Sequence, residues 1–419
     1  MELIFTLFFV FLFLIAILKR KTFVWIFPIF VLCYPHNSNM LNFGGVGLDK
    51  FLVLFGFFIF RKNNNISLTH KKWMTLLFCI WFLDVFSNLV GYFIDDFENF
   101  RYEIYLKGLL LSIFNLCIVF LYIRIIRNKE VENVVNSLIL ACTVQALFGV
   151  LLYYNHNMFS FLYNSSEHLI SGETTLRAVG TTKGPWELGG LLAFGYVLVL
   201  FCLVKYRLGL KGRLIYISSF IIILLALILS MSRAGWLFVF VSTLVLFVYN
   251  IKKMTGFLLI LFLFSAVFLV SYLESFIDLI NHRVLYTFKF NSGRLDNSSQ
   301  TRLDLWEYFL SKFEWAYIFF GYGWQNLIAK FGTSTHNSFL SLFLSTGLFG
   351  LVLYFKYFKI LFIEYFKYNI KEVLPYSILI VGFFFYSLTT DAFFTQSVMY
   401  MLNFLGCIIV NYTYKNQRE

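Results

Sequence analysis

The 419-residue chain is short of charge. Only 13% of it is Asp, Glu, Lys or Arg, against roughly a quarter in soluble domains, while 60% is hydrophobic and 56 residues are phenylalanine. A soluble fold could not hide that much apolar surface, so the composition predicts an integral membrane protein. Long polar tracts are missing too. Apolar segments recur from the first residues to the last, and 1–419 reads as a single membrane domain. The opening run, Leu3 to Leu18, lacks the basic start and small-residue cleavage site of a secretory leader, and Lys19, Arg20 and Lys21 follow it, so it is expected to be a first span. There is no C-x-x-C pair. The six cysteines (Cys33, Cys79, Cys117, Cys142, Cys202, Cys407) lie in or beside apolar runs and predict small packing residues, neither a disulfide framework nor a metal site. H-E-x-x-H, paired Asp spacing and Cys/His clusters are absent, so neither a metal nor a cofactor is expected. Internal repeats, low-complexity tracts and heptad arrays are likewise missing.

What is present is a series of apolar runs long enough for membrane helices, which need roughly 20 residues and fewer where a helix is broken or re-entrant. Thirteen stretches qualify: about 3–18, 22–34, 47–60, 73–94, 104–123, 134–153, 186–204, 214–230, 235–250, 256–273, 337–355, 374–390 and 392–412. The expected fold is an all-α polytopic membrane protein of about 12–13 spans. The net charge of +12 has a topological explanation and implies no nucleic-acid partner. If Lys19 to Lys21 face the cytoplasm and the spans alternate, the cytoplasmic segments hold 22 of the 34 basic residues, and the short linkers obey the positive-inside rule. The C-terminus then falls inside.

Two outer segments are long: about 155–185, and about 274–335, rich in Trp, Tyr, Arg and Asp. Loops of this length are usually functional or disordered. The second is expected to be a partly helical periplasmic loop. Leu303, Trp306, Phe309, Leu310 and Phe313 fall on one helical face, and Gly321 and Gly323 mark a turn after them. The helix could pack on the bundle or lie in the outer interface.

Basic residues on the outer side go against the topological bias. Arg177 lies in "TTLRAVGTTKGPWELGG", Arg233 in "LSMSRAGW" between two spans, and Arg302 at the start of the amphipathic helix; Lys183 and Arg283 are nearby. A guanidinium near membrane depth is costly unless it is paired or faces a wet cavity. Each could pair with a carboxylate such as Glu187 or Asp304, or snorkel to headgroups. As a group they suit a diphosphate, because the planar guanidinium donates two parallel hydrogen bonds. His336 and Asn337 stand where an apolar run begins, "THNSFLSLFLSTGLFG". With an unperturbed pKa of about 6.5, a histidine there can take a proton from a sugar hydroxyl, or it can simply cap or pack a helix. The glycines of "GPWELGG" lack the Lys-Ser/Thr of a phosphate-binding loop and read as packing and turn residues.

Four pieces in order resemble the bacterial O-antigen polymerase and ligase family, over roughly residues 170 to 352: "RAVGTTKGPWELGG", "SMSRAGW", "QTRLDLWEYF" with "FFGYGW", and "HNSFLSLFLSTGLFG". The resemblance implies a multi-pass enzyme of the bacterial inner membrane whose site faces the periplasm. Its substrate would be an undecaprenyl-diphosphate-linked oligosaccharide, and a polysaccharide chain-length regulator is a possible partner. Carried onto this chain, Arg177, Arg233 and Arg302 would hold the diphosphate and His336 would act as base, with Asn337, Lys183 and Arg283 in support. The reaction implied is metal-independent, inverting glycosyl transfer. The ligase pattern continues His-Asn, nine residues, Gly, two residues, Thr-Thr; here Gly347 fits, but Gly350 and Leu351 stand at the Thr-Thr positions. That departure favours a polymerase over a ligase. A flippase or other transporter is the rival class; transporters usually show two related halves, which are not visible here.

Overall fold

The computed structural model describes residues 2–34, 42–43, 46–60, 68–95, 102–127, 131–155, 168–170, 173–175, 177–206, 209–249, 297–332, 334–364, 370–392 and 395–416. Helices dominate them: α1 (Glu2–Leu18), α2 (Arg20–Cys33), α3 (Leu48–Ile59), α4 (Leu68–Asp95), α5 (Tyr102–Arg127), α6 (Val131–Tyr154), α7 (Pro185–Lys205), α8 (Leu210–Ser230), α9 (Arg233–Tyr249), α10 (Asn297–Ser311), α11 (Trp324–Phe331), α12 (Ser338–Lys359), α13 (Ile370–Ser387) and α14 (Gln396–Asn416). Two small antiparallel hairpins accompany them, β1 (Asn42–Phe43) with β2 (Val46–Gly47), and β3 (His168–Ile170) with β4 (Glu173–Thr175). Every expected span except 256–273, which lies outside the described residues, coincides with one of these helices. By length and composition, His70–Gly91, Val131–Tyr154, Pro185–Lys205, Leu210–Ser230 and Ser338–Phe362 can each cross a membrane, and shorter apolar helices join them. The chain is an all-α polytopic membrane protein.

Helix α7 is the centre of the bundle, buried at nearly every position from Pro185 to Cys202. The opposite pattern marks the periphery, where Phe11, Phe58, Phe82, Ile215, Ile221, Phe240 and Leu244 are exposed on α1, α3, α4, α8 and α9. Apolar side chains displayed so widely fit a lipid surround. In lipid the hydrophobic effect does not draw helices together, so close packing and interhelical hydrogen bonds must. Both occur here. A Cβ on Gly235 of α9 would stand 2.8 Å from the Gly189 carbonyl of α7, so the two backbones touch and only glycine fits. Cys33 Sγ donates to Ala141 O, tying α2 to α6, and Ser242 Oγ to Ile378 O, tying α9 to α13. Such bonds average about 0.6 kcal/mol each in a membrane.

Helices α4 and α12 run antiparallel. Lys72 and Lys356 share one end, and Phe86 meets Phe320, at the approach to α11, toward the other. Inside α12, Gly347 has φ 65° and ψ −164°, which interrupts the helix. The residues 318–323 dock into the break: Tyr322 N–H donates to Leu344 O (2.7 Å), Gly323 N–H to Ser345 O (2.7 Å), Leu348 N–H to Ile318 O (2.9 Å) and Phe349 N–H to Phe319 O (3.2 Å). A break at membrane depth persists only where the freed backbone groups find new partners, and this loop supplies them. Gly321 and Gly323, at φ 69° and 83°, make the turn that lets it do so. Helix α11 leaves that turn with its first N–H groups capped from α4: Asp84 Oδ1 accepts from Trp324 N, and Asn88 Oδ1 from Gln325 N and Asn326 N. Part of the amphipathic stripe of α10 packs here, through Phe309 and Phe313, while Leu310 is exposed. Phe309 is buried with Tyr317, Tyr322, Leu327 and Leu344.

Candidate active site

The turn between α8 and α9 is a single tight step. Met231 adopts φ 48°, a left-handed conformation that is costly for a residue with a side chain. Arg177 reads that turn directly: its Nε donates to Ser230 O and a terminal nitrogen to Met231 O, both at 3.0 Å. The backbone follows, with Ala178 N–H on Leu229 O at 3.0 Å. Arg233 is the first residue of α9, two positions past Met231. Arg177 and the start of the Arg233 helix therefore meet, although 56 positions separate the two residues in the chain. Lys183 is exposed, and its backbone N–H donates to Glu187 Oε2 at 3.0 Å.

Glu187, the carboxylate the sequence offered as an arginine partner, is buried and serves backbone. Besides Lys183 N it accepts from Ser397 N at 2.9 Å, so it joins the arginine loop to the start of α14. Tyr386 Oη donates to Trp186 O at 2.7 Å, adding the end of α13. The short connection between α13 and α14 continues to the histidine. Ser338 Oγ donates to Thr390 O at 2.6 Å. Asp391 then gathers the whole entry to α12: its Oδ2 accepts from Ser334 Oγ (2.6 Å) and His336 N–H (3.1 Å), and Oδ1 accepts from Ser341 Oγ. Asp391 Oδ2 also lies 3.7 Å from His336 Nδ1. That is too long for a hydrogen bond but within reach for an ion pair.

His336 stands half-exposed, with φ 54°. Among the described residues it and Met231 are the two non-glycines in the left-handed region. Strained backbone of this kind survives where surrounding contacts over-determine it, and Asp391 supplies those contacts at His336. Asn337 is the N-cap of α12; its Oδ1 accepts from Phe339 N–H (3.0 Å) and Leu340 N–H (3.1 Å). The structure thus gives Asn337 a capping duty that the sequence left open. Trp306 Nε1 donates to Thr335 O at 2.7 Å, which fastens α10 to the residue before His336. Arg302 lies one turn before Trp306 on α10, and its side chain is outside the described residues, as is the whole of Arg283.

The structure therefore collects Arg177, Lys183, Arg233, His336, Asn337 and α10 at one end of the bundle, through contacts that run Arg177 turn, α7 start, α13–α14 connection, α12 start. Asp391 was missed in the sequence. The signal was available: a lone carboxylate in "LTTDAFF" between two apolar runs.

A half-exposed imidazole thus stands beside a carboxylate at the start of α12, and the α13–α14 connection and the start of α7 link it to the Arg177 turn at the same end of the bundle. Residues 218–355, about a third of the chain, match the family described as O-antigen ligase. The match makes this stretch similar to the O-antigen polymerase and ligase family, whose members are glycosyltransferase-like enzymes. It takes in Arg233, Arg302, His336 and Asn337, and leaves Arg177, Lys183 and Asp391 outside. No curated protein matches the chain.

Proposed function

We propose that the protein is a surface-polysaccharide polymerase, an O-antigen polymerase in the first instance. It moves the growing glycan from undecaprenyl diphosphate onto the next lipid-linked repeat unit at the periplasmic face of the inner membrane. The observation that carries the reading is the linkage of the His336–Asp391 pair to the Arg177–Arg233 turn through the single connection between α13 and α14.

In this reading His336 takes the proton from an acceptor sugar hydroxyl. The hydroxyl oxygen forms its bond to the anomeric carbon of the donor while the bond from that carbon to the diphosphate oxygen breaks. The bonding pair leaves with undecaprenyl diphosphate, and a single displacement inverts the anomeric carbon. Asp391 holds the His336 backbone N–H and, 3.7 Å from Nδ1, offsets the ring's positive charge once it is protonated. Arg177, Arg233 and Arg302 stabilise the charge growing on the leaving diphosphate, the term that is usually largest in such catalysis. Lys183 and Arg283 add positive potential. No residue in this scheme needs a metal.

Polymerase is preferred to ligase because Gly350 and Leu351 occupy the positions of the ligase's Thr-Thr. Deleting the gene separates them. Loss of a polymerase leaves lipopolysaccharide bearing one repeat unit; loss of a ligase leaves it bare. A bare-core pattern on the gel refutes the polymerase.

A further inference from the structure

At the end of α4 and α12 remote from His336 there is a cavity of about 380 Å³, within the range of small-ligand sites. It is lined by Lys72, Thr75, Leu76, Cys79, Lys356, Lys359 and Ile360. Three lysines from two helices line it, and none of the described residues lining it is acidic. Its walls are set by packing rather than by the lysines themselves. Trp73 and Tyr357, each beside a lining lysine, are buried and stacked with centroids 6.1 Å apart, and Tyr357 Oη donates to Asn403 Oδ1 of α14 at 3.1 Å. At the rim the helix changes form. Ile360–Glu364 is a π-helical turn, a rare feature that concentrates at functional sites. The lining is therefore two-sided in chemistry: cationic and hydroxyl-bearing at Lys72, Thr75, Lys356 and Lys359, apolar at Leu76, Cys79 and Ile360.

We propose that this cavity is a binding site for the phosphate headgroup of an anionic phospholipid of the leaflet opposite His336, with the first part of an acyl chain against Leu76 and Ile360. The charge complementarity selects the phosphate, and the apolar strip selects a lipid over a free anion. Basic pockets between membrane helices on the cytoplasmic side bind such headgroups, and the positive-inside rule puts these lysines on that side. Binding here pins α4 to α12. Those two helices also carry, at their other ends, the Asp84 and Asn88 caps of α11 and the entry to His336, so an occupied pocket holds the candidate active site's frame together. The inference does not depend on which glycan the protein handles.

The test uses the full chain purified in zwitterionic detergent micelles. Phosphatidylglycerol is titrated in, and bound lipid is counted by native mass spectrometry. The expected result is one tightly retained phosphatidylglycerol, weakened about fivefold for each lysine changed in Lys72→Gln, Lys356→Gln and Lys359→Gln. Retention should be kept in the triple Lys→Arg variant and unaffected by Lys71→Gln, which alters a neighbouring exposed lysine outside the cavity. Inorganic phosphate at millimolar concentration should fail to displace the lipid. Equal loss with Lys71→Gln shows diffuse attraction and overturns the site. Displacement by phosphate overturns the lipid assignment, and undiminished retention in the triple Gln variant overturns both.

Discussion

Replacing Gly347 with alanine probes the interlock between the α12 break and the loop of residues 318–323. At φ 65° and ψ −164° the residue sits in a region that is essentially glycine-only and costs other residues about 1–3 kcal/mol. Space is refused as well. The added Cβ would fall 2.3 Å from both the carbonyl carbon and the oxygen of Phe319, which are backbone atoms and cannot swing aside. The loop must therefore move. If two of its four backbone hydrogen bonds to α12 are lost, at about 0.5–1.5 kcal/mol each, the interlock weakens by roughly 2–6 kcal/mol in all. Hydrogen exchange reads this locally. Peptides covering 318–323 and 344–349 should exchange at least about thirtyfold faster in Gly347→Ala than in wild type. Gly332→Ala is the matched control. It carries φ 73°, but a Cβ added there would meet no atom within 4 Å, so the variant bears backbone strain without a clash. Its effect should stay at the end of α11. Wild-type protection across both peptides in Gly347→Ala, or an equal loss in Gly332→Ala, would refute the argument.

Four further outcomes follow from the same geometry. His336→Ala and Arg233→Ala should each abolish polymer ladders while the protein still inserts at normal abundance; ladders of near-normal length from both remove the proposed site. Asp391→Asn keeps the shape but loses the carboxylate beside His336 Nδ1, so activity should fall about 10- to 100-fold while the melting temperature in detergent stays near that of wild type. A matching fall in melting temperature assigns Asp391 to structure alone. Asn337→Ala removes a side chain that accepts two backbone N–H groups and should cost about 1 kcal/mol, seen as a lower melting temperature in detergent. Asn88→Ala uncaps α11 from the neighbouring helix; faster exchange at Gln325 and Asn326 is the expected readout, and unchanged exchange there contradicts the capping role.

The spans were legible because a 20-residue apolar run carries its own signal, and α10 was legible because its stripe repeats at helical spacing. The break in α12 was not. From 337 to 355 the run is evenly apolar, and a glycine inside a membrane helix ordinarily means close packing, so Gly347 looks like any other. What makes it a break is the arrival of residues 318–323 from outside the run, a tertiary event no local pattern encodes. The same holds for the arginines. The sequence left Arg177 open between a carboxylate such as Glu187, the lipid headgroups and a diphosphate; its guanidinium donates to the carbonyls of Ser230 and Met231, and Glu187 accepts backbone N–H groups. Polar residues inside the apolar runs were the underused clue. Asp84 and Asn88 are spaced four apart and share a helix face, which is the geometry that caps α11. Asp391 is the stronger case. A carboxylate at a membrane helix end is tolerated only if its lone pairs are met, and hydroxyls at Ser334 and Ser341 together with the His336 N–H meet them. Because those donors lie in the approach to α12 and in its first turn, truncating Asp391 to alanine frees the strained His336 backbone as well as removing the charge beside its ring. The proposed chemistry and the local fold therefore depend on the same side chain, and the comparison of Asp391→Asn with Asp391→Ala separates the two.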